Sequence, residues 1–303
     1  MQIHNKPNFW AGVMFTAFGA GFVWQSASYS VGTTAHMGPG NFPLWLGGML
    51  ALLGVVILAR SFLENAHEPP LAVFNWRLLV VVLVLVGCMQ WLPPSLLQEI
   101  AIRFNPPDYF SLMLFYVAGA AALASGSLLK AVAMAVLGLL LGLVGTDINS
   151  GVERFMFGID ALKDGLNPFS VLLGALGIGL WAKLPKSHYR TVFLALVLVS
   201  VMGFYGWLGY DDFFLVSTIV FGVAGYLWTR LKCVSAPLYF GVVYGPMMEE
   251  NLRRMLLLSR GSFTSLFVHP LSATFLALAL IMLILAALWK MRKRNGLDTS
   301  SLP

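Results

Sequence analysis

The chain has 303 residues, 58% of them hydrophobic and only 11% charged, with a formal net charge of +6 and a mean hydropathy of +0.80. Soluble domains carry roughly a quarter charged residues, so this composition excludes a soluble globular protein and identifies an integral membrane protein. The basic excess sits at the ends of apolar runs, where the positive-inside rule accounts for it, and no nucleic-acid partner is implied.

Ten apolar stretches follow one another, at residues 9–27, 43–62, 76–93, 108–124, 128–145, 168–182, 191–209, 213–229, 235–248 and 271–289. Strand-like alternation is absent, so helices must satisfy the backbone in lipid, and the expected fold class is all-α, a polytopic helical membrane protein with about ten transmembrane or re-entrant helices. The first stretch has Lys6 as its only preceding cation and a poor cleavage site, so it is read as an uncleaved anchor. Between the first two spans Gln25 to Asn41 lacks any charge. It ends in Met37-Gly38-Pro39-Gly40-Asn41-Phe42-Pro43, where Gly38, Pro39 and Gly40 form a tight turn and Pro43 suits a helix start.

A charged loop, Ser61 to Trp76, and a proline-rich stretch, Pro93 to Pro107, follow. A domain boundary is placed near Leu97 to Asn105. Gly145 to Leu166 is too polar to cross lipid and too aromatic for free coil, so it is expected to pack on the membrane face as a surface hairpin. Its Asp147, Asn149 and Gly151 begin like a calcium loop, but the later ligand positions do not follow in register, and it is read as a plain turn with no metal. Gly138, Gly142 and Gly145, then Gly174, Gly177 and Gly179, are spaced for close helix contact. Asp211 and Asp212 are read as a solvated outer turn.

Placing the N-terminus inside puts thirteen of the nineteen lysines and arginines on the cytoplasmic side, and Lys290 to Arg294 holds the C-terminus there. Of the six left outside, Arg253, Arg254 and Arg260 belong to one segment, GPMMEENLRRMLLLSRG from Gly245 to Gly261. Whether 235–260 spans the bilayer or is re-entrant stays open. In that segment Arg253, Arg254 and Asn251 are candidate ligands for an anion, since a guanidinium clamps a carboxylate through two parallel bonds. Lys130, after a small-residue turn, is a further candidate, read more simply as a lysine snorkelling to the cytoplasmic interface. The structural reading of the cluster is preferred: Glu249 and Glu250 stand one helical turn before Arg253 and Arg254, so the four form a charge cluster that pairs within itself. Two cysteines, Cys88 and Cys233, and five scattered histidines give no metal spacing, and no catalytic motif is present. No enzyme activity and no cofactor are expected.

Three regions carry a resemblance. Tyr109 to Gly179 resembles part of the first half of the large membrane subunit of the tripartite tricarboxylate transporter family. From about Leu184 to Trp289 the chain is similar to the end of the same subunit, above all in APLYFGVVYGPMMEENLRRMLLLSRG and in His269-Pro270-Leu271-Ser272. Ahead of Leu97, the spans joined by the GPGNFP turn resemble the family's small membrane subunit. The domains expected are therefore 1–97 (small-subunit-like), 105–182 and 183–296 (large-subunit-like) and a tail, 297–303. The resemblance implies uptake of organic carboxylates delivered by a periplasmic binding protein, driven by an ion gradient (H+ or Na+, not named by the residues). It also implies a bacterial inner membrane, in which the charge count above places a multi-pass chain with both termini cytoplasmic. One departure matters. Between about Gly179 and Leu184 the chain omits the large subunit's central stretch, with its glycine- and proline-containing signatures expected to form broken helices around the substrate. A second reading follows: a non-transporting assembly or scaffold subunit, or a decayed remnant, docked on a full-length large membrane subunit.

Overall fold

Apolar runs with no internal water to bond must close their own backbone hydrogen bonds, and the chain does so as helices. A computed structural model describes residues 5–63, 104–178, 188–207 and 212–299. The helices are α1 (Lys6–Ser26), α2 (Asn41–Leu63), α3 (Pro106–Leu123), α4 (Leu128–Gly142), α5 (Pro168–Val171), α6 (His188–Trp207), α7 (Asp212–Arg230), α8 (Ala236–Leu258), α9 (Ser265–Val268) and α10 (Pro270–Thr299). α5 runs directly into π-helical turns, Leu172–Ile178. Two short strands, β1 (Gly145–Thr146) and β2 (Glu153–Arg154), pair antiparallel. Asn41–Leu63, Asp212–Arg230 and Pro270–Arg292 are each long and apolar enough to cross a bilayer, and the protein is a helical membrane protein. The third expected span, the linker after Ser61, Cys88, Asp211 and the junction from Gly179 to Leu184 fall outside the described residues, as do most of the expected boundary stretch and the last residues of the tail.

Starts and stops follow local chemistry. Asn5 caps α1 by accepting from the Asn8 N–H at 3.1 Å, and Lys6-Pro7 opens the helix where a missing N–H costs nothing. At α3, Asn105 and Asp108 form a reciprocal capping box. α8 runs ten residues beyond the stretch expected from hydropathy, ending at Leu258. Its charges find partners, so they do not end the helix.

α1 and α2 form an antiparallel hairpin packed on α4, and α4 and α8 form the centre. A Cβ at Gly138 would lie 2.1 Å from Leu238 O, one at Gly142 2.6 Å from Val242 O, and one at Gly245 2.8 Å from Leu139 O. Positions on both helices rise together, so α4 and α8 run parallel at backbone contact, which only glycine permits. Gly145, expected to extend this glycine row, has left the helix at φ 120°. A single core joins Ala11, Phe15, Leu46 and Leu50 of the N-terminal hairpin to Met134 and Leu137 of α4 and to Leu238 and Met255 of α8.

The bundle has two distinct ends. At one, Asn5 N–H donates to Ser61 O and Lys290 Nζ donates to Ala124 O. At the other stand the α1–α2 loop, the β1–β2 hairpin and the end of α8, where a Cβ at Gly261 would lie 2.9 Å from Thr34 Oγ1. α8 therefore runs through the bundle beside α4 as one continuous helix without turning back.

Candidate functional site

The polar centre of the molecule forms where four elements meet. β1 and β2 bring Asp147, just after β1, beside Arg154, on β2. α8 supplies Glu249 and Arg253 from successive turns of one face. Arg154 Nη1 and Nη2 donate to Glu249 Oε1 and Oε2 at 2.8 and 2.9 Å, a bidentate clamp. Its Nη1 also donates to Pro39 O at 2.9 Å, and Asp147 stands 3.6 Å from Nη2. Arg253 Nη1 donates to Asp147 Oδ2 and Oδ1 at 2.9 and 3.1 Å, and its Nη2 to Glu249 Oε1 at 2.7 Å.

Two carboxylates and two guanidiniums thus close a neutral network. Arg154, Asp147 and Glu249 are each only 4% exposed. Charges buried this deeply persist only when paired and hydrogen-bonded. Burial by itself would raise the Asp147 carboxyl, but hydrogen bonds from Ser150 and Arg253 and the charges of Arg154 and Arg253 outweigh it and hold the group below the ordinary carboxylate range. Buried Arg154 Nε and Arg253 Nε keep no hydrogen-bond partner.

A cavity of about 570 Å3 lies against the network, lined by Gly142, Asp147, Arg154, Lys163, Val242 and Glu249 among others. Pro246, also on its wall, lacks the N–H that would close the helical bond to Val242 O, which loosens α8 at this level.

The sequence-stated candidates do not converge here. Of Arg253, Arg254, Asn251 and Lys130, only Arg253 enters the network. Arg254 pairs with Glu250 on the exposed side of α8, and Asn251 Nδ2 donates to Met247 O at 2.8 Å on its own helix. Glu249–Arg253 and Glu250–Arg254 are both i, i+4 pairs. Lys130 lies at the opposite end, 2% exposed, donating to Leu231 O at 3.0 Å in the α7–α8 turn. It does not snorkel to water, because that carbonyl supplies a protein acceptor within reach. Gly38, Pro39 and Gly40 form the turn into α2, with Gly38 N–H donating to Val31 O and Gly40 N–H to Ser30 O; Pro43 is buried in the first turn of α2.

Asp147 and Arg154 are the residues that sequence reasoning missed. Asp147 was explained by turn chemistry and Arg154 counted as one outer cation among six. The available signal was that the charged hairpin and the charged α8 segment both carried unexplained opposite charges.

Three curated relatives, all from Agrobacterium vitis, share parts of the sequence. An uncharacterized protein in the TAR-II ttuC' 3' region is 36% identical over 151 residues, covering 50% of this chain and 62% of that protein. An uncharacterized 52.8 kDa protein in the TAR-I ttuC' 3' region is 34% identical over 151 residues, 50% of this chain and 30% of its own length. An uncharacterized 16.3 kDa protein in the TAR-I ttuC' 3' region is 39% identical over 74 residues, 24% of this chain and 46% of its own. The chain thus spans less than two thirds of each of these relatives. No solved structure matches. Residues 78–179 begin ahead of the expected boundary and take in α3, α4, both strands with Asp147 and Arg154, and the π-helical turns; over this range the sequence matches the Tripartite tricarboxylate transporter TctA family.

Proposed function

We propose that this chain is a membrane component of a tripartite tricarboxylate-type transporter, taking part in the uptake of organic carboxylates delivered by a periplasmic binding protein. The observation that carries this reading is the match of residues 78–179 to a transporter family. The chain shares sequence with two proteins of one TAR-I region, of 52.8 and 16.3 kDa; that its N-terminal part is small-subunit-like rests on the GPGNFP turn alone. The bundle is placed in the bacterial inner membrane, with the Asn5–Ser61 end and both termini cytoplasmic and the hairpin end facing out. This orientation puts Arg60, Lys130, Arg230, Lys232 and Lys290 inside.

Arg253 and Arg154 are assigned to holding the outer end together, because both already grip carboxylates of this chain. Substrate contact, if made by α8, falls to Arg254 and Asn251. The coupling ion, H+ or Na+, has no assigned ligand.

Removing the gene from its native host tests the reading. Uptake of labelled di- and tricarboxylates should fall to background and return on complementation. Unchanged uptake in the deletion strain would overturn it. Co-isolation with a longer large membrane subunit, combined with no uptake by this chain alone in liposomes, would assign it to the scaffold role instead.

A further inference from the structure

The hairpin between α4 and α5 turns two aromatic residues in opposite directions. Phe155 is buried, its ring centroid 4.7 Å from that of Phe22 and 5.6 Å from that of Tyr29, and its N–H donates to the Tyr29 hydroxyl at 3.0 Å. Two residues later Phe157 is 79% exposed, and Ile159 is exposed beside it. Both phenylalanines sit at positive φ, 54° and 50°. Left-handed backbone is unfavourable at a bulky residue and persists where the surroundings or a task require it. Phe155 has its surroundings. Phe157, facing outward, gains little from the protein itself.

Depth decides what Phe157 meets. Phe22 lies one turn before the end of α1, so the Phe155 ring packed on it stands near the level of Trp24, and Phe157 follows two residues later in the same hairpin. Trp24 is exposed, as are Trp45 near the start of α2 and Trp207 at the end of α6. Exposed tryptophans gathered at one end of a helical bundle mark the interfacial layer of the bilayer. The other flank of the hairpin packs on Phe213 at the start of α7, so helices with lipid-facing sides stand on both sides of Phe157.

We propose that Phe157 and Ile159 insert into the interfacial lipid at the level of Trp24, Trp45 and Trp207, so that the hairpin is anchored in the membrane surface. The partner is the apolar part of the lipid. Gly145 to Leu166 carries four carboxylates against two cations, so attraction to anionic headgroups does not hold it there. The anchor keeps the hairpin, and with it Asp147 and Arg154, at a fixed depth beside α8.

The test uses the full chain in phosphatidylcholine nanodiscs, with Cys88→Ala and Cys233→Ala as background and a nitroxide label at Phe157→Cys. The label should collide more often with molecular oxygen than with a water-soluble nickel chelate. A label at Asn149→Cys, on the exposed turn, should show the reverse. Ile159→Cys is the second position should the Phe157 variant fail to accumulate. Adding phosphatidylglycerol should leave the ratio unchanged. Nickel access equal to that at position 149, shielding from both reagents as a protein partner would give, or lipid contact only with phosphatidylglycerol present would each overturn the proposal.

Discussion

Arg154 and Glu249 stand 95 residues apart in sequence and meet through two parallel hydrogen bonds, at 2.8 and 2.9 Å, inside the hairpin end of the bundle. The clamp ties the hairpin to α8, while the third bond of Arg154, to Pro39 O, brings in the α1–α2 turn. Each partner is buried, so losing one leaves the other's charge poorly compensated.

Arg154→Met should therefore destabilise the protein strongly. It leaves Glu249 with Arg253 alone and strands Pro39 O, and breaking a buried pair in this way costs about 3–5 kcal/mol. The expected readout is a large drop in detergent-solubilised Tm, with Arg154→Lys recovering part of it. A variant as stable as the parent would show that the clamp contributes nothing.

Glu250→Gln should behave differently although its pair looks alike in sequence. Arg254 is 60% exposed in that pair, and exposed i, i+4 pairs contribute about 0.3–0.5 kcal/mol. Thermal unfolding should barely move, and uptake should be kept if this pair is only a solvated one.

Acid should weaken the hairpin end through Asp147. Its carboxyl is held below the ordinary range by Ser150, Arg253 and Arg154 despite burial. A depressed folded value means that the stabilisation is complete above the unfolded carboxylate range and is lost as pH falls through the folded value. Tm measured from neutral into acid pH should decline, and Asp147→Asn should lower Tm at neutral pH while flattening part of that decline. A parallel shift with an unchanged acid limb would mean that Asp147 is not the titrating group.

Gly138→Ala should push α4 from α8, because its Cβ would meet Leu238 O at 2.1 Å. Overpacking against backbone costs about 1–3 kcal/mol. Gly48→Ala, where a Cβ meets nothing within 4 Å, is the matched control and should leave Tm unchanged or slightly higher. Equal effects from the two substitutions would remove close packing as the explanation.

How much of this could be read in the sequence depended on range. Composition and hydropathy sufficed for the helical membrane class, and spacing sufficed for Glu249–Arg253 and Glu250–Arg254, because i, i+4 neighbours are fixed by the helix itself. Arg154 and Asp147 were not legible. Their partners lie 95 and 106 residues away, and the Asp-Ile-Asn-Ser-Gly turn from Asp147 to Gly151 explains Asp147 without any partner. The same blindness shortened α8: charges that look like the end of a span are interior to a helix once their counter-charges arrive from the hairpin. Lys130 misled for the converse reason, since its acceptor is a carbonyl of the α7–α8 turn that no side-chain pattern announces.

The bond from Arg154 to Pro39 O joins the N-terminal hairpin to the rest of the bundle through a main-chain atom. A carbonyl oxygen presents the same acceptor whatever side chain follows it. The seam is therefore indifferent to residue identity at position 39 and demanding at position 154. Substitutions at position 39 that keep the turn leave this contact in place, whereas the apolar side chains of α1 and α2 that join the common core are not free to change in the same way.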